Sequence, residues 1–378
     1  MVRLLLALIL VGGCGFDSAI NVVAVDGGDN PVPGCAQWQE RLFFDPCVLS
    51  DPGDATLDLS NPGQYLFNSS ARALVGPDLE PIAVDTVVID STDPALVVLN
   101  VGGLSVGRFA ELRLEGNRPV VIASWSSIAV AGIVSARSSY GDGLGAGANT
   151  GSCSELGMPQ LGPNGGGGGG GAGFGGPGGD GGSGSDGAAA GATGGAGFST
   201  SILRGGCPGG DGADVGEGAV GTGGAGGGAL LLLATTSISI SGTIHAGGQA
   251  GRGATRPNGG GGAGSGGMIG LVAPLVDLTE DVVLASNGGG GGEGGNADSS
   301  MGGTGSSGRS DGQVAAGGSG LSEAGNGGSG STGTSAPGTG DTRFYSGGGS
   351  GGGVGFVVVK AQTFEPAGAY ISPPPSEL

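Results

Sequence analysis

Residues 165–171 are all glycine, and the chain returns to such runs at 259–262, 288–292 and 347–349. A glycine run has no side chain to bury, so the hydrophobic effect cannot order it. Segments of this kind are disordered, functional, or structured in some unusual way. Glycine supplies 97 of the 378 residues, where about 7% is the usual share. Yet Val, Ile and Leu gather in short blocks and only 12% of residues are charged, so self-repulsion does not hold the chain open.

The aliphatic blocks read as strands. From Val84 onward, Val87-Val88-Ile89, Leu96-Val97-Val98-Leu99, Leu104-Ser105-Val106 and Leu112-Arg113-Leu114 are each bounded by Gly, Asp, Asn or Pro. A repeat follows. Segments 119–136, 228–246, 267–285 and 353–371 each read as strand, short turn, strand, glycine-type bend, short strand. One such unit cannot bury its apolar face alone, whereas stacked units bury a continuous aliphatic column. The expectation is an all-β chain, a right-handed β-solenoid or β-helix-like stack. The alternative is a β-sandwich with disordered glycine-rich insertions.

Between the units lie glycine-rich excursions, 137–227, 248–266 and 288–352. Part of this glycine has a period of three: Gly175, Gly178, Gly181, Gly184 and Gly187, then Gly218, Gly221, Gly224 and Gly227, then Gly302, Gly305 and Gly308. Three is the repeat of the polyproline II helix, so packed polyglycine II helices are one reading and flexible linker the other. Scarce proline and a broken register argue against a collagen triple helix.

At the N-terminus, Arg3, the apolar run 4–11 and the small residues Gly12-Gly13 make an export signal, too short to span a bilayer. Val11-Gly12-Gly13-Cys14 resembles the bacterial lipobox, which implies lipidation of Cys14; Gly15 after it implies sorting to the outer membrane. The expected organisation is a signal peptide over 1–13, a lipid-anchored tether over 14–34, an aromatic-rich cap over 35–83 and a glycine-rich body over 84–378. With Cys14 assigned to lipid, Cys35, Cys47, Cys153 and Cys207 remain. An oxidising compartment pairs them. Three connectivities exist; Cys35–Cys47 with Cys153–Cys207 is favoured because each closes a loop within one region.

The chain resembles the glycine-rich exported lipoproteins of myxobacterial type. The lipobox ending at Cys14, Phe44-Asp45-Pro46-Cys47 with the later Gly63-Gln64-Tyr65, and strand pairs alternating with poly-Gly up to Gly351-Gly352-Gly353-Val354-Gly355-Phe356 carry the likeness. It implies surface location and a solenoid-like fold, and no particular activity.

Net charge is −19 with a single lysine, Lys360, so no basic patch serves nucleic acid. His245 is the one histidine; it reads as a solvated strand residue without a nucleophile elbow or an acid partner. No Gly-Lys pair supports a phosphate loop. Asp277, Glu280 and Asp281 are the one acid cluster in the repeat, and a solvated turn explains them. No cofactor is expected. Ca²⁺ has a weak case in Gly181-Gly182-Ser183-Gly184-Ser185-Asp186 and Gly209-Gly210-Asp211-Gly212-Ala213-Asp214, which makes Asp186, Asp211 and Asp214 its candidate ligands. The functional expectation is a non-enzymatic structural or adhesive lipoprotein of the outer membrane, facing matrix, glycan or another surface protein. A glycan-binding or glycan-cleaving β-helix is the alternative, and a flat ice- or crystal-facing surface a third reading.

Overall fold

The computed structural model describes residues 35–376. Its regular structure is twenty strands with three short 3₁₀ turns and no other helix among the described residues. The chain starts with β1 (Thr56–Leu59), β2 (Gly63–Asn68), β3 (Ala73–Val75), β4 (Pro81–Ile82) and β5 (Asp85–Ile89). Triplets follow: β6 (Leu96–Val101), β7 (Gly103–Val106), β8 (Ala110–Glu115); β9 (Val120–Ser124), β10 (Ser127–Val130), β11 (Ile133–Ser135); β12 (Ala229–Ala234), β13 (Ser237–Ile240), β14 (Thr243–His245); β15 (Met268–Val272), β16 (Leu275–Leu278), β17 (Val283–Ala285); β18 (Phe356–Lys360), β19 (Thr363–Glu365), β20 (Tyr370–Ser372).

Corresponding strands of the triplets pair in parallel, so Val97, Val120, Leu230, Ile269 and Val357 fall in register. The result is three sheets. Two have six strands, ordered β1-β7-β10-β13-β16-β19 and β18-β15-β12-β9-β6-β5; the third has eight, ordered β20-β17-β14-β11-β8-β2-β3-β4. Side-chain pattern decides each strand's place. Ser237-Ile238-Ser239-Ile240 alternates because one face of β13 is buried. Residues 229–234 are apolar throughout because β12 is buried on both faces. Its inner face packs Leu230 and Leu232 against Ile122, Ile238, Ile244 and Leu271. Its outer face packs Leu231 and Leu233 against Trp38, Leu49, Phe174 and Leu203. The segment from Trp38 to Leu49 therefore lies on the sheet.

The expected right-handed β-solenoid is corrected. The strands form three separate mixed or parallel sheets, none closed into a barrel, and β2-β3-β4 and β5-β6 pair antiparallel. The stack is not one continuous coil, because after each of β11, β14 and β17 the chain leaves the sheets, for residues 136–228, 246–267 and 286–355. The sandwich with disordered insertions is corrected too. Its sheets would be antiparallel, whereas these are mostly parallel, and the insertions are packed.

Their packing is backbone on backbone. Gly168 and Gly171 donate to Gly182 O (2.8 Å) and Gly179 O (3.0 Å); Gly169 and Ala172 donate to Gly260 O (2.8 Å) and Ala263 O (2.9 Å). Gly167 O and Gly170 O accept from the amides of Ala213 and Gly210, each at 2.9 Å. Residues three apart thus bond one neighbour, and adjacent residues bond different neighbours. No side chain fits between such segments. A Cβ on Gly168 would sit 2.0 Å from Gly348 O, and one on Gly262 2.1 Å from Gly170 O. Residues 165–174 are all buried, and the amides of Gly166, Gly167, Gly168, Gly169, Gly171, Ala172 and Phe174 each donate to a backbone carbonyl within the protein, as burial favours.

Candidate functional site

Turns from all three glycine-rich segments that leave the sheets meet in one hydrogen-bonded face. Ser185 N donates to Tyr345 O and Asp186 N to Arg343 O, both at 3.1 Å; Tyr345 N donates to Glu323 O at 3.2 Å. Gly166 N donates to Pro257 O (2.9 Å), and Arg256 N to Asp298 O (3.2 Å). Asn258, wholly buried, is the hub beside them. Its Oδ1 accepts from Val215 N at 2.7 Å, and its Nδ2 donates to Glu217 O (2.6 Å) and Thr255 O (2.9 Å). A segment of ten residues, 258–267, runs from this face to β15, a reach of at most about 35 Å. The N-terminal segment with Trp38 packs on the sheets.

Several tip residues sit in the left-handed region. Ser185 (φ 50°), Asp186 (52°), Arg256 (56°) and Glu323 (65°) all carry side chains, and such conformations persist only where surrounding contacts hold them. Between Asp186, Leu321, Glu323, Asn326, Arg343 and Phe344 opens a groove of about 400 Å³. Phe344 and Met301 are exposed by 43% and 67%, a large share for apolar side chains. Asp186, Asp214, Glu217, Asp298, Glu323 and Asp341 are exposed here against Arg256 and Arg343, so the face is acidic. The amide and hydroxyl of Ser300 hold the Asp298 carboxyl below its ordinary range.

The structure does not gather the candidate Ca²⁺ ligands. Asp186 is exposed on its own turn, Asp211 Oδ1 accepts from Gly223 N at 2.7 Å, and Asp214 Oδ1 from Gly216 N at 2.8 Å. Among the described residues no group of three or more His, Cys, Asp or Glu is placed to hold a metal ion. Cys153 and Cys207 form a disulfide. Cys47 is disulfide-bonded; the side chain of Cys35, and Cys14 with the export signal and tether, lie outside the described residues. Asp277 is half-buried on β16, and Glu280 and Asp281 are exposed after it.

His245 corrects its sequence reading, because it is buried, not solvated. It is 6% exposed, with Nε2 3.0 Å from Gly308 O of a covering glycine segment. Burial, then Arg137, push its pKa down to about 4, so the ring is neutral near pH 7. Two buried charged residues went unremarked in the sequence, Glu293 and Arg204. Their signal is a charge standing alone in a glycine-rich stretch. Among the described residues no helix is long and apolar enough to cross a membrane.

No family model, curated protein or solved structure matches the chain.

Proposed function

We propose that the protein is a surface-displayed structural or adhesive lipoprotein without catalytic activity, anchored through Cys14 in the outer membrane. The observation that carries this reading is the hydrogen-bonded face of tips around Asn258, borne on a glycine body that stands between it and the sheets where the N-terminal segment packs. An anchor on the N-terminal side leaves that face directed outward. Tip residues held in strained conformations by their neighbours are pre-ordered, which lowers the entropy lost on binding. The acidic surface suits a basic protein surface or a neutral glycan, on matrix or on another cell, and disfavours anionic lipid and nucleic acid.

The test is attachment of cells displaying the full chain, compared with cells displaying Asp186→Lys/Asp298→Lys/Glu323→Lys at equal surface amount. The reading predicts loss of attachment to the matrix or neighbouring cells. Unchanged attachment would overturn it. Cys14→Ser should release the chain from the envelope, and retention would contradict the anchor.

A further inference from the structure

Arg204 is 3% exposed, and among the described residues it forms no ion pair. Its guanidinium lies over the rings of Phe174 and Phe198, 5.1 and 5.4 Å from their centroids. Nε donates to Gly205 O at 3.1 Å and Nη1 to Ser152 O. Nη2 is 3.3 Å from Sγ of Cys153 and 3.3 Å from Sγ of Cys207. A buried cation without a counter-charge is costly, and disulfide sulfurs are weak neutral acceptors. Burial accordingly pushes the Arg204 pKa down.

Reduction changes this balance. A thiolate at either sulfur supplies the missing counter-charge at contact distance, and a cation beside a cysteine favours its thiolate. Access is asymmetric. Cys207 is buried at 2%, whereas Cys153 lines an open groove of about 670 Å³ with Ser152, Ser154, Phe198, Thr200 and Arg204.

We propose that Cys153–Cys207 is a thiol–disulfide exchange site for a protein dithiol, with Arg204 stabilising the departing Cys207 thiolate. The partner's thiolate attacks Sγ of Cys153, the S–S bond breaks, and its electron pair leaves on Cys207 beside Arg204 Nη2. The partner's second thiol then loses its proton and attacks the mixed disulfide. The partner leaves as an intramolecular disulfide, and the thiolate released on Cys153 takes up a proton. Two electrons pass from partner to this chain, so the partner is oxidised and the chain reduced. A structural disulfide of an exported protein has the opposite character, buried from attack and without a waiting cation.

The experiment equilibrates the folded full chain with dithiothreitol of graded redox poise and counts alkylated Cys153 and Cys207 by peptide mass spectrometry. That readout separates them from Cys47. In Arg204→Met, which keeps bulk over the rings and removes the charge, the equilibrium should move at least tenfold toward the disulfide, about 30 mV more negative. An equal equilibrium in the two folded proteins would overturn the proposal, as would a wild-type disulfide that reduces only on unfolding. If Arg204→Met does not fold, Cys153→Ser decides. Its Cys207 thiol should ionise well below about 8.5 by ultraviolet absorbance, and ionisation at or above that value would contradict the proposal.

Discussion

The carboxylate of Glu293 accepts a hydrogen bond from the amide of Leu321 at 2.6 Å. Its other oxygen accepts from Gly303 N at 2.7 Å, and the side chain is wholly buried. One residue of segment 288–295 therefore fixes two others that end at the tip face. Replacing it by glutamine sets an NH₂ group against one of the amides. Glu293→Gln should cost about 1–3 kcal/mol, the usual penalty for an unsatisfied buried group. Denaturant unfolding checks this, and a change below about 0.5 kcal/mol would mean that the contact organises nothing.

The glycine body tolerates no Cβ on its inner segments. Gly262→Ala would place a methyl 2.1 Å from Gly170 O, a backbone atom with no freedom to swing aside. The expected cost is roughly 3 kcal/mol or more, or failure to fold. Thr339→Ala, on the exposed side of the same body, should stay within about 0.5 kcal/mol. Thermal unfolding of the pair measures the contrast. Similar stability in the two would show that the segments have room between them.

His245 makes stability depend on pH in a window that carboxylates do not wholly explain. Its folded pKa is about 4 against 6.5 unperturbed, lowered first by burial, then by Arg137, with Arg113 acting the same way and Asp142 opposing. The folded state resists the proton, so this contribution is complete above 6.5 and is lost as pH falls from 6.5 to 4. The loss approaches about 3 kcal/mol, at 1.36 kcal/mol per pKa unit. His245→Gln should flatten the slope of unfolding free energy against pH in that window. An unchanged slope would place the histidine in solvent.

The strands were legible because their residues announce their surroundings. Residues 229–234 are apolar without a break and lie in a sheet covered on both sides, while Ser237 to Ile240 alternate and are covered on one. The triplet β6-β7-β8 was seen as strands and not as a unit of the repeat, since β8 passes to β9 without a glycine excursion. The three-residue spacing of glycine is also the spacing of the hydrogen bonds from Gly168 and Gly171, or Gly169 and Ala172. Which segments pair was not legible. Nothing distinguishes Gly168 from its neighbours, although it faces Gly348, because contacts between bare backbones leave no chemical mark. For the same reason the tip face was invisible, and Asp186 and Asp214 stood out only as acids in glycine turns. Glu293 carried a usable sign, as the one charged residue interrupting the glycines of 288–295.

Hydrogen–deuterium exchange on the purified chain carrying Cys14→Ser tests the central claim most directly, that the glycine-rich half is an ordered hydrogen-bonded body. Peptides containing Gly169, Gly260, Gly291, Gly328 and Gly349, whose amides all donate within this body, should exchange as slowly as the peptide containing Leu231 of β12. They should lose protection together with it on global unfolding. Exchange of those glycine amides at the rate of an unstructured chain, with β12 still protected, would contradict the account.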